Sequence, residues 1–130
     1  MQSFTKVSIQ DLTSCKFEKI ENGWRTSTYS SRTLNMVWIQ GTYRKQIDGD
    51  NIIVEDDLDE NSFVVITECE SVPKGLPLLS KGDYCQILGQ IRSIEASGRV
   101  LIRAVKIVHV TESVIREMWP LEIKELKKFI

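Results

Sequence analysis

Five short runs of β-branched and aromatic residues, each closed by a turn signal, restrict this chain to a small and sharply bent sheet. The first is Asn35 to Arg44 (NMVWIQGTYR), interrupted at Gly41, and the Asp48-Gly49-Asp50 that follows has hairpin turn chemistry. Asn51 to Glu55 is the second run. Asp56 to Asn61 turns the chain, and Ser62 to Cys69 (SFVVITEC) is the third. A longer connection, Val72 to Asp83, is punctuated by Pro73, Gly75, Pro77 and Gly82. Tyr84 to Ile94 (YCQILGQIRSI) is the fourth, with Gly89 at its centre. Ser97-Gly98 turns into the fifth, Arg99 to Val110, where Arg103 and Lys106 sit among apolar neighbours.

Five strands in an antiparallel meander with a longer third connection predict a small Greek-key barrel of the OB type. The fold class is therefore all-β with a terminal helix. Gly41 and Gly89 fit this reading, because a small barrel needs bulges or close backbone approach where its strands coil. An immunoglobulin-like sandwich competes, but needs about seven strands. The chain divides into an N-terminal extension over 1–34, the barrel over 35–110 and a C-terminal helix over 111–130. Within the extension, Ser8-x-x-Asp11 predicts a capped short helix carrying Ile9 and Leu12. Trp24 is expected to fold back as a lid on a barrel end.

The last nineteen residues, Glu112 to Ile130, have too much apolar surface for a helix docked once. At about 100° per residue, Val114, Ile115, Met118, Trp119, Leu121, Ile123, Leu126, Phe129 and Ile130 fill an arc of roughly 200°. Two arrangements satisfy such an arc: a deep groove in the chain's own barrel, or a second surface supplied by a partner. Trp, Met and Phe are enriched at protein–protein contacts. Pro120 removes one helical hydrogen bond and disfavours helix at Trp119, so a kink or a second helix starting at Pro120 is expected.

With 130 residues, 42% hydrophobic and 27% charged, this is one ordinary soluble domain. No run approaches the roughly 18 apolar residues of a membrane span, and MQSFTKVSIQ lacks a signal-peptide core. Cys15, Cys69 and Cys85 are odd in number and far apart, as in reduced intracellular proteins. His109 is the only histidine, which leaves no zinc site of the usual spacing. No nucleophile elbow, phosphate-binding loop or dinucleotide fingerprint is present, so neither catalysis nor a cofactor or metal is expected.

OB barrels often bind single strands with a basic groove and stacking aromatics. Here Asp48 to Glu60 holds seven acids and no Lys or Arg. Phosphate binding depends on neutralising cations, so this ridge points to protein contact. The alternative is a single-stranded-DNA-binding module like the middle subunit of replication protein A.

Taken in order, Trp24-Arg25, Val37-Trp38-Ile39-Gln40-Gly41, Val72-Pro73-Lys74-Gly75, Lys81-Gly82-Asp83-Tyr84, Ala104-Val105-Lys106 and Glu117-Met118-Trp119-Pro120-Leu121-Glu122 resemble the RecQ-mediated genome instability protein 2 family. The resemblance implies a nuclear, non-catalytic OB-fold subunit with little direct nucleic acid binding. It implies packing of tail helices with the larger sister subunit, RecQ-mediated genome instability protein 1. It further implies association with a Bloom-type RecQ helicase and topoisomerase III in double Holliday junction dissolution. The family's Ala-Val-Lys lysine falls on Lys106 and its Met-Trp pair on Met118 and Trp119, as implied partner contacts. With them, Val114, Ile115, Leu121, Ile123, Leu126 and Phe129 form the expected partner-binding set. Exposure without a role for Lys106, and packing of Trp119 on the chain's own barrel, are the competing assignments.

Overall fold

The structure, a computed structural model, describes residues 4–29 and 33–128. The strands are β1 (Thr5–Lys6), β2 (Glu18–Ile20), β3 (Gly23–Arg25), β4 (Met36–Gln46), β5 (Ile52–Asp56), β6 (Asp59–Thr67), β7 (Tyr84–Ile94) and β8 (Val100–His109). The helices are α1 (Ile9–Ser14) and α2 (Ser113–Lys128). The five runs of the sequence are β4 to β8.

These strands close into a barrel in the order β4-β5-β6-β8-β7, with β7 pairing back onto β4. One pairing departs from the expected meander: β6 and β8 run parallel, Val65 opposite Leu101 and Thr67 opposite Arg103. Closure requires it, because the long 68–83 connection brings β7 back beside β4 and leaves β8 to meet β6. The β5–β6 connection is also tighter than expected. Asp56 Oδ1 accepts from the Leu58 amide at 2.9 Å, and Asp59 accepts from the Asn61 amide and the Ser62 hydroxyl. These acids shape the turn, so β6 begins at Asp59 rather than at Ser62.

Gly41 sits where β4 changes neighbours. Residues Met36 to Thr42 pair with β7, and Thr42 to Gln46 pair with β5. A Cβ at Gly41 would lie 2.4 Å from the Glu55 carbonyl oxygen and 2.7 Å from Ile9 Cδ1. The bend therefore needs glycine for proximity, as the sequence pattern implied.

The N-terminal segment is less of an appendage than expected. β1 pairs in parallel with β4, and Val7, Ile9 and Leu12 are fully or almost fully buried in the same core as Ile39, Ile66 and Ile102. Ser8 caps α1, its hydroxyl accepting from the Asp11 amide at 3.0 Å. β1 and α1 thus pack into the barrel. β2 and β3 form a small hairpin that the sequence reading missed. Trp24 is tied to Leu34 by two backbone hydrogen bonds of 2.8 Å and packs, half-buried, on the core.

Candidate partner interface on the C-terminal helix

α2 runs unbroken from Ser113 to Lys128 with Pro120 inside it, so no second helix starts at Pro120. A proline in a helix interior costs about 3 kcal/mol, and docking on both sides of it offsets that cost. Trp119 and Ile123 are buried, at 5% and 6% exposure. Trp119 stacks on Trp38 of β4, with ring centroids 6.4 Å apart and planes 25° apart. Lys6 stands over the Trp38 ring at 4.5 Å and donates to Glu122 Oε1 at 2.9 Å. The Trp38 Nε1 is buried with no acceptor among the described residues, so the Trp119 ring and the Lys6 ammonium hold that side chain.

Three ion pairs join α2 to three different parts of the barrel. Glu122 meets Lys6 in β1, and Lys127 meets Asp11 in α1 at 2.7 Å. Arg116 makes a two-pronged contact with Asp57 in the β5–β6 turn, its Nε donating to Oδ2 at 2.8 Å. The Arg116 guanidinium also lies 5.1 Å from the Tyr84 ring. Its hydrogen bonds hold the Asp57 carboxyl below the usual carboxylate range, with the Thr42 hydroxyl adding to the effect. Burial pushes the Tyr84 hydroxyl up, and it donates to Gln40 Oε1 at 3.0 Å. Asp11 is nearly buried and also accepts from the Tyr29 hydroxyl at 2.7 Å, which raises the Tyr29 pKa after burial has done so.

No described residue covers the opposite side of the helix. Val114, Met118 and Leu121 are 54%, 46% and 54% exposed, and their i, i+4, i+7 spacing puts them in one stripe. The arc seen in the sequence is thus two faces, one docked and one free. Of the expected partner-binding set, Val114, Met118 and Leu121 lie on the free face, Ile115 is half-buried at its edge, and Leu126 is half-buried against the core. Trp119 and Ile123 face inward, and Trp38 supplies Trp119 with an aromatic mate within the chain. Phe129 lies outside the described residues.

Lys106 is exposed on β8. It stands opposite Leu88 in β7, which stands opposite Trp38, which stands opposite Lys6. Lys6, Trp38, Leu88 and Lys106 therefore form one row across four strands, and α2 covers its Trp38 end. Sequence reasoning missed Lys6, Asp11 and Asp57 as partners of α2. Their signal was only a charge opposite to that of a residue more than fifty positions away, which no local pattern exposes.

A family model described as RecQ-mediated genome instability protein 2 matches residues 5–127. The protein of that name from Gallus gallus is 34% identical over 112 residues, covering 82% of this chain and 80% of its own. The Mus musculus protein of the same name is 28% identical over 95 residues, covering 72% of this chain and 60% of its own length. Among solved structures, a chain of a replication protein A heterotrimer bound to single-stranded DNA superposes with a TM-score of 0.67 at 12% identity, covering 95% of this chain and 94% of that one. A chain of the S. pombe Stn1–Ten1 complex superposes with a TM-score of 0.56 at 14% identity, covering 95% and 94%. These likenesses show the OB fold. The family match over nearly the whole described barrel and tail shows more: the chain belongs to the RecQ-mediated genome instability protein 2 family.

Proposed function

We propose that this protein is a non-catalytic OB-fold scaffold subunit in genome stability, working through the free face of α2. On this reading it pairs with a larger OB-fold sister subunit of the RecQ-mediated genome instability protein 1 type. The pair then supports a RecQ helicase and topoisomerase III in nuclear double Holliday junction dissolution. The observation that carries this reading is the uncovered stripe Val114, Met118 and Leu121, since three large apolar side chains aligned on one helix face favour a second helix. On this reading Lys106, which shares a strand row with Leu88 and Trp38, adds one polar contact. A non-catalytic role fits the chemistry of the barrel: burial pushes the Cys69 and Cys85 thiols up to about 12, so neither offers a thiolate at neutral pH.

Co-expression with the sister subunit tests the proposal. A one-to-one complex that survives size exclusion, and that Leu121→Asp abolishes while the barrel stays folded, is the expected result. Single-strand binding is the second reading, and it rests on Phe63, 38% exposed with the Arg44 guanidinium 4.8 Å from its ring. Tight binding of a labelled oligonucleotide with a steep salt dependence, and no complex with the sister subunit, would replace the first reading by the second.

A further inference from the structure

Roughly half a turn around α2 from the apolar stripe, a recess opens between the helix and the β5–β6 hairpin. It encloses about 130 Å³. The buried side chains of Tyr84, Trp119 and Ile123 line it inside, Leu58 and Pro120 stand at its mouth, and the two cations beside it, Arg116 and Lys127, are each paired with an aspartate. That volume is close to the roughly 150 Å³ that accepts one benzene ring in an apolar core. Leu58 is 75% exposed although the recess lies beside it. On its other side, a shallower recess is lined by Glu55, Asp56, Asp59 and Glu60. Arg44 compensates Glu55 and Arg116 compensates Asp57. Among the described residues, Asp56, Asp59 and Glu60 have no ion-pair partner.

We propose that this double recess docks a short extended segment of another protein, one that carries an aromatic or aliphatic side chain beside Lys or Arg. The apolar group enters the recess under Leu58, and the cations meet Asp59 and Glu60. Charge complementarity selects this occupant: three uncompensated carboxylates repel acidic peptides and nucleic acid phosphates, and attract a basic flank. An aromatic ring in a desolvated pocket rimmed by polar contacts is the usual build of a binding hot spot. Because a helix seated on Val114, Met118 and Leu121 leaves this flank of α2 open, both partners can be held at once. The inference goes beyond the proposed pairing and does not depend on it.

The probe is a fluorescein-labelled nonapeptide with a central Phe flanked by Lys, titrated into the full chain at low salt and read by anisotropy. Two counterparts replace the Lys residues by Glu, or the Phe by Ser. The expected result is saturable binding of the first peptide and at least tenfold weaker binding of each counterpart. Leu58→Ser and Glu60→Lys, both at exposed positions, should each weaken the first peptide about tenfold, equivalent to about 1.4 kcal/mol. Leu121→Asp should leave it unchanged, which separates this site from the helix-pairing face. Amide and indole shifts on binding should centre on Leu58, Gln10 and Trp119. Equal binding of all three peptides, an absence of saturable binding, indifference to Glu60→Lys and Leu58→Ser, or loss of binding with Leu121→Asp would each overturn the proposal.

Discussion

At Gly89 the backbone of β7 passes so close to β8 that a Cβ would lie 2.5 Å from Ile102 Cγ2 and 2.6 Å from the Arg103 carbonyl oxygen. The pairing register shifts at this point, between Leu88 and Gly89. A methyl group here must move backbone rather than a flexible side-chain end, so Gly89→Ala should destabilise the barrel by about 1–3 kcal/mol. Denaturant unfolding checks this, and a midpoint equal to that of the parent would show that the strands can separate without cost. The cysteines give a second measurement at the same scale. Cys69 and Cys85 are fully buried with thiols pushed up to about 12, whereas Cys15 is half-exposed beside the Thr28 hydroxyl at 3.4 Å. Brief alkylation of the native protein at neutral pH should label Cys15 alone, as peptide mass mapping would show; labelling of Cys85 before Cys15 would mean that the β4–β7 seam opens readily.

α2 shows how far an element can be read without its surroundings. Its excess of apolar arc was visible from spacing, yet the spacing did not say which residues meet the barrel. Trp119 reads as a partner anchor by type, and only the position of Trp38, eighty-one residues earlier, turns it inward. The strands were legible because each alternates locally and ends in turn chemistry. β1 was not, because two residues carry no period, and β6 starts early because Asp56 and Asp59 act as turn-formers. Two substitutions separate the faces of the helix. Trp119→Ala removes a buried ring, a change of the kind that costs about 3–5 kcal/mol in a core, and should undock α2 with loss of the Trp38 stacking signal. Leu121→Ala should alter stability by no more than about 0.5 kcal/mol. The docking also depends on pH. Asp57 titrates lower when it holds Arg116 than its ordinary value of 3.8, so the tether is fully present above that value and lost as pH falls through the depressed one. An exposed pair of this kind contributes at most about 1 kcal/mol. Tryptophan emission of Asp57→Asn at neutral pH should therefore move toward that of the parent protein in acid; an unchanged spectrum would show that Arg116 does not help to hold the helix.

At the scale of the whole molecule, stability is divided between a closed barrel and a helix held on it by a narrow seam. The barrel strands share one core, with Val37, Ile39, Ile87 and Ile102 fully buried. α2 adds only Trp119 and Ile123 to the buried set, supported by ion pairs that water and salt weaken. Opening of α2 therefore needs less free energy than opening of β4 or β7, and the two should behave as separate cooperative units. Amide hydrogen exchange of the isolated chain should show β4, β7 and β8 exchanging slowest and α2 markedly faster. Pairing with the proposed sister subunit adds its apolar contacts to the free face of α2, so by mass action it stabilises the docked helix more as its concentration exceeds the dissociation constant. The slowing on complex formation should then be large over Ser113–Lys128, and the barrel amides that already exchange only through global unfolding should slow with the total stability. If the partner instead protected β5, β6 and the Ile47–Asn51 turn while leaving α2 unchanged, the barrel face and not the helix would be the pairing surface.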